Sequence, residues 1–180
     1  MNTCTCCECV DNFYVGDIII IVNVSLIKSC SFFGHSEITI TNELIDKITI
    51  IIEKLIVNEN FGIFYFGGFG MFDDLCYTIV SKLKEKYTDI KRIFCLYDPR
   101  HTQKSKRPEW LKKEIYEEYI YFDLQYDYYY TRIYYRNCEI INRSDYVICY
   151  VANKNNSGAN KALKYIKKNK KPYINLVEYI

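Results

Sequence analysis

Histidine is nearly missing: His35 and His101 are the only two in 180 residues. No nucleophile–base pair is visible in the sequence, which argues against a zinc hydrolase and against a Ser or Cys hydrolase. Net charge is almost missing too. Lys plus Arg number 24 and Asp plus Glu 22, leaving +2. Proteins dedicated to non-specific duplex binding carry a strong basic excess, so the balance argues against that class while leaving room for a local anion site. No internal repeat and no linker is visible. The apolar run from Asp17 to Ile27 is broken by Asp17 and Asn23 and has no basic segment before it. It is well short of the ~20 residues that span a bilayer, and it does not read as a secretory signal.

Apolar residues are plentiful instead. They make up 49% of the chain against 26% charged, which supplies a core and excludes a disordered or collagen-like chain. The length suits one domain with a short extension, here residues 1–27 before a core of 28–180. The extension is read as an extra strand or a segment outside the main fold, and residues 1 to about 26 as potentially upstream of a natural start. Aromatics reach 17%, with 19 Tyr. Together with many Ile, Asn and Lys this reflects compositional bias, and the count by itself says nothing of function. Nine cysteines, an odd number in a chain too large for a small secreted scaffold, point to a reducing cytoplasm rather than a disulfide framework. Cys95 and Cys149 sit in apolar runs as small hydrophobes. The cluster Cys4-Thr5-Cys6-Cys7-Glu8-Cys9 lacks the usual paired spacing of zinc sites and reads as a tail. No metal and no cofactor is expected.

From Lys28 onward, short apolar runs alternate with amphipathic helices. Ser29 to Phe33, Phe61 to Phe66, Lys91 to Tyr97, Tyr146 to Val151 and Tyr173 to Val177 read as strands. Thr41 or Asn42 caps a helix that places Leu44, Ile45, Ile48, Ile52, Leu55 and Ile56 on one face. Further helices are expected from about Met71 to Tyr87, Tyr129 to Asn142 and Ser157 to Asn169, and a short one from Pro108 to about Glu118. The basic stretch Asp98 to Pro108 reads as a loop, and the aromatic, acidic stretch Tyr119 to Tyr130 fits no one state. The alternation predicts an α/β fold: a single Rossmann-like, doubly wound, mainly parallel sheet of about five strands with helices on both faces. Ligands of such sheets bind outside the carboxyl ends of strands where the strand order reverses.

Three loops fall at that end. Gly34-His35-Ser36-Glu37 follows the first strand. Gly34 permits a tight turn, and His35 and Ser36 offer contacts to a phosphate or a base, against a plain polar-loop role for His35. Gly67-Gly68-Phe69-Gly70 follows the second strand and opens a helix, an arrangement that cradles anions with outward amides. Asp73 and Asp74 in that helix either contact a ribose or complement its amino end. Asn153 to Lys161, with Ser157, Gly158 and Ala159, follows the fourth strand. Before that strand, Arg132 and Arg136 stand at i and i+4 on one face, with Asn137 adjacent. Arg136 reads as a phosphate ligand, and Arg132 as either that or a surface ion pair.

Together these residues resemble the SLOG superfamily, which includes the LONELY GUY phosphoribohydrolases and the Rossmann-like domain of DNA-processing protein A. They are closest to its small bacterial members. The likeness spans about residues 28–178 and rests on Phe33-Gly34-His35-Ser36, Gly67 to Asp73, Arg136-Asn137, Ser144-Asp145 and Ser157-Gly158-Ala159. Where LONELY GUY enzymes carry Gly-Gly-x-Gly-Thr-x-x-Glu, this chain has Ser157-Gly158-Ala159-Asn160-Lys161, and the catalytic Glu falls near Lys164. Ser36 also replaces an Arg common in the small members. The resemblance implies a homodimer, and a protein that binds a nucleotide or phosphoribosyl-containing ligand as a sensor or regulator. One alternative is a nucleoside monophosphate phosphoribohydrolase, in which Asp73, Asp74 or Glu37 stands in for the missing Glu beside Arg136. Another is a single-stranded DNA partner using Arg100 to Arg107 and Tyr126 to Tyr135.

Overall fold

The computed structural model describes residues 12–15, 18–21, 26–98, 100, 116–126, 128–152 and 157–179. Two short strands, β1 (Asn12–Val15) and β2 (Ile18–Ile21), pair antiparallel and form a sheet of their own. The Cys4 to Cys9 cluster, most of the basic loop before Pro108 and the expected Pro108 helix lie outside the described residues.

The main sheet begins at β3 (Lys28–Gly34), whose run Ser29 to Phe33 is buried throughout. A strand buried on both faces needs apolar side chains on both. Phe32 enters one core with Phe64 and Phe66, and its neighbour Phe33 enters the other with Val147 and Cys149. Helix α1 (Asn42–Glu59) follows; Thr41 caps it by accepting the Leu44 N–H, and Leu44, Ile48, Ile52 and Leu55 are its buried face. Then come β4 (Phe61–Phe66), α2 (Met71–Lys86) and β5 (Lys91–Leu96). Next are β6 (Glu118–Tyr121), α3 (Tyr129–Arg143), β7 (Tyr146–Tyr150), α4 (Gly158–Lys168) and β8 (Tyr173–Asn175). A 3-10 turn, Leu176–Glu178, ends the described chain in place of the last residues of the expected fifth strand. Residues of α1 and α2 fill the first core and those of α3 and α4 the second, one on each face of the sheet.

All six strands are parallel, in the order β6-β5-β4-β3-β7-β8. The expected architecture is therefore present with one strand more than the approximate five. The extra strand, β6, lies in the stretch that fits no one state by sequence, and its first residue, Glu118, falls where the sequence pattern ends a short helix. Pairing with β5 decides it. Glu117, just before β6, holds the Arg92 guanidinium at 2.7 Å and accepts the Arg92 N–H at 2.6 Å, and Lys91 meets Glu118 at 2.6 Å.

The strand order reverses between β3 and β7, so the crevice opens at their carboxyl ends. At the opposite end, Asp145 clamps the same two strands. Its Oδ2 accepts both the N–H of Ser29 at 2.7 Å and its hydroxyl at 2.9 Å. The Ser144 hydroxyl meets that of Ser31 at 2.8 Å. Among the described residues no helix is long and apolar enough to cross a membrane.

Candidate functional site

The three glycine-containing turns meet at the crevice around a cavity of about 380 Å³. Gly34, His35 and Ser36 contribute from the first, Gly67, Phe69 and Gly70 from the second, and Ser157, Gly158 and Ala159 from the third. Helix α3 closes one side with Tyr130, Ile133, Arg136 and Asn137. Four expected residues do not line it. Gly68 turns its amide elsewhere, and Asp74 and Glu37 are exposed outside the cavity. Arg132 donates to the Tyr126 carbonyl, so the i and i+4 pair does not act as a pair.

Arg136 is only 2% exposed. Its Nη1 donates to the Gly67 carbonyl at 2.6 Å, and Nε and Nη2 donate to Asn137 Oδ1 at 3.2 and 2.8 Å. The rings of Phe69 and Tyr97 lie 5.0 and 5.3 Å from the guanidinium carbon. Among the described residues no carboxylate comes within ion-pair distance of it. Burial depresses its pKa, with Asp73 the main opposing influence, yet an arginine keeps its proton in proteins. The result is a buried cation in a cavity wall with no carboxylate in direct contact among the described residues, Asp73 acting on it only from beyond ion-pair distance. Three of its five N–H groups are engaged, leaving two for a ligand. Gly67 is what lets the guanidinium come so near: a Cβ there would sit 2.8 Å from Nη2.

Asp73 corrects the reading of the second loop. Its carboxylate folds back over the turn and accepts the Gly68 N–H at 2.6 Å and the Gly67 N–H at 3.4 Å. Those two amides therefore brace the loop and do not face an anion. Gly68, at φ 69, and Gly70, at φ 92, supply the left-handed backbone the turn requires. Burial raises the Asp73 pKa to about 7, against the lowering effect of the Gly68 amide and Arg136.

A carboxyl raised in the folded state stabilises most below its unfolded pKa, and that contribution is lost as pH rises through about 7. We expect the melting temperature to fall by several degrees between pH 5 and 8. In Asp73→Asn, which keeps one carbonyl oxygen for the Gly68 amide, this slope should vanish. Parallel thermal melts across that range check it, and an unchanged slope in the variant would refute the assignment.

The remaining expected residues take mixed parts. His35 is buried, and its Nε2 lies 3.0 Å from the Ala152 N–H and 3.1 Å from the Ala152 carbonyl oxygen, tying the end of β3 to the chain after β7. Ser36 accepts the Met71 N–H on its carbonyl at 3.0 Å and so docks the amino end of α2. Ser157 caps α4 by accepting the Asn160 N–H at 3.1 Å. The cap residues of both α2 and α4, Gly70 and Ser157, line the cavity. Two positive helix ends thus converge beside Arg136. Tyr130 and Ile133 were not expected here. Their signal is the 130, 133, 136–137 spacing, which puts them on the Arg136 face of α3.

No family model and no curated protein matches the chain. Among solved structures it is similar to the DNA processing protein A of Helicobacter pylori, studied for its single-stranded DNA binding mode. That match has a TM-score of 0.54 and 13% identity, and covers 82% of this chain and 64% of the other. The chain thus spans less than two thirds of that protein's length. It also aligns with the structural genomics target TM1055 at a TM-score of 0.48 and 12% identity, over 81% of this chain and 72% of that one. What the chain shares with DNA processing protein A is the Rossmann-like fold.

Proposed function

We propose that the cavity binds the phosphate-bearing part of a nucleotide or nucleotide-derived ligand, and that the protein acts as a sensor or regulator rather than through chemistry of its own. The observation that supports this best is Arg136. Burying a cation is expensive unless an anion accompanies it. Here no carboxylate among the described residues reaches ion-pair distance, Asp73 being turned to the Gly67 and Gly68 amides, while two helix ends of matching sign border the same space. A phosphate group satisfies all three. Phe69, 40% exposed, and Tyr130, 82% exposed, offer planar faces at the cavity for a base. The resemblance to SLOG proteins, some thought to sense nucleotide-derived signals, agrees with this reading. Single-stranded DNA is the ligand in the structural study of DNA processing protein A; the balanced charge of this chain favours a ligand with few phosphates.

Calorimetry against AMP, ADP-ribose, NAD and cyclic nucleotides tests the proposal. At least one should bind with micromolar or better affinity, and absence of heat with all of them would reject it.

A second reading rests on Asp73. Of the three candidate carboxylates for the missing Glu, it alone lines the cavity, and a pKa of about 7 suits an acid–base group. Its oxygens are already committed to the Gly67 and Gly68 amides, which weighs against it. Release of free base from AMP, lost in Asp73→Asn, would establish that reading.

A further inference from the structure

Outside the Arg136 cavity, a groove of about 550 Å³ lies between α3 and α4. Tyr134 and Tyr165 stand edge to face in it, with ring centroids 6.5 Å apart. Lys161, Lys164 and Lys168 line its α4 side. Spacings of three and four residues put these lysines on one helical face. All three are exposed, and among the described residues none of their ammonium groups donates a hydrogen bond or joins an ion pair. Their neighbours behave differently: Lys171 donates to the Asn142 and Ser144 carbonyls, and Lys167 lies over the Tyr173 ring. No carboxylate lines the groove. Like charges at these spacings repel and weaken a helix, so the arrangement favours an anion laid along it.

The groove adjoins the cavity at Tyr130, which lines both. Along α4, Gly158 at the cavity and Lys164 in the groove are six residues apart, about 9 Å on the helix axis. That is a span a second nucleotide unit covers. Tyrosine faces beside lysines suit a ligand whose rings stack while its phosphates meet cations.

We propose that the ligand of the Arg136 cavity carries a second nucleotide unit, whose phosphate meets Lys164 and Lys168 and whose base stacks in the tyrosine groove. This rests on the reading of the cavity as a nucleotide site and narrows it to ligands of dinucleotide length or more.

The test compares AMP with the 5′-phosphorylated dinucleotide pApA by calorimetry on the full chain, at low and at physiological salt. The dinucleotide should bind at least tenfold more tightly and lose more affinity with salt. The double substitution Lys164→Glu with Lys168→Glu should bring pApA down to the affinity of AMP and leave AMP unchanged. The milder pair Lys164→Gln with Lys168→Gln should fall between. Equal affinities for the two ligands, or a dinucleotide affinity indifferent to both pairs, would overturn the inference while leaving the nucleotide reading intact. If wild type binds neither ligand nor any of the nucleotide panel, the nucleotide reading fails and this inference with it.

Discussion

Arg136→Met is expected to abolish nucleotide binding, with a loss of at least a hundredfold, and to leave the protein folded. The two effects separate because the guanidinium has two roles of opposite energetic sign. For a bound phosphate it is the buried partner, and removing one member of a buried charge pair costs about 2–5 kcal/mol. For the unliganded fold it is a desolvated charge whose replacement by an apolar chain of similar volume is often neutral or favourable. Against that relief stands the Gly67 carbonyl, which loses its donor at 2.6 Å. An unsatisfied buried acceptor costs about 1–3 kcal/mol. The sum is a small net change in stability, read as a melting temperature within a few degrees of wild type. Calorimetry with the best ligand of the nucleotide panel and a thermal melt decide the matter together. A folded Arg136→Met protein that still binds at wild-type affinity would remove the basis of the proposed function. Arg136→Lys should also bind poorly, because an ammonium cannot span Gly67 and Asn137 while presenting a fork to phosphate.

Gly70→Ala is expected to be the most damaging of the single-methyl changes at the site, and Gly158→Ala the most harmless. Gly70 has φ 92, where an L side chain is strained, and its added Cβ would sit 2.6 Å from Ser36 Cα. That neighbour is backbone, held by the hydrogen bond between the Met71 N–H and the Ser36 carbonyl, and it has no rotamer by which to escape. Strain and overpacking each cost roughly 1–3 kcal/mol. Their sum of about 3 kcal/mol corresponds to a fall of roughly 6–12 °C in melting temperature for a domain of this size. Gly158 opens α4, and a Cβ there meets nothing within 4 Å. Alanine is a good helix former, so that substitution should shift stability by no more than about 0.5 kcal/mol in either direction. Gly34→Ala should rank next to Gly70→Ala: its Cβ would fall 2.6 Å from Phe72 Cβ and nearer still to Phe72 Cγ, and Phe72 is fully buried, but Gly34 carries no left-handed backbone strain in addition. Melts of the three variants give the ranking, and an undamaged Gly70→Ala protein would show that the turn between β4 and α2 is not built as described.

Much of the core was legible from local pattern. Of the two candidate caps, Thr41 is the one that caps α1, and Leu44, Ile48, Ile52 and Leu55 of the expected face are buried, with Ile45 and Ile56 partly so. Strand β3 was readable as a short run of small and apolar residues, Ser29 to Phe33, that ends at Gly34. Strand β6 was not, because Glu118–Tyr121 is only partly buried and has no clear period. It is a strand because β5 offers it a free edge and Glu117 finds Arg92 there. The pairing of Arg132 with Arg136 misled for a similar reason. Spacing put both on one face, but the Tyr126 carbonyl holds Arg132 away from the cavity.

The amino-acid order alone determined that three small-residue turns would lie at one end of one sheet. Parallel strands joined by helical crossovers send every strand-to-helix connection to the same edge, and hydrophobic period marks where each strand stops. Only the folded chain decided what those turns present to the space between them. Asp73 takes the Gly67 and Gly68 amides for itself, and Arg136 lies against the Phe69 and Tyr97 rings with its guanidinium on the Gly67 carbonyl. Such choices depend on distances between residues that are remote in the chain, which no local spacing encodes.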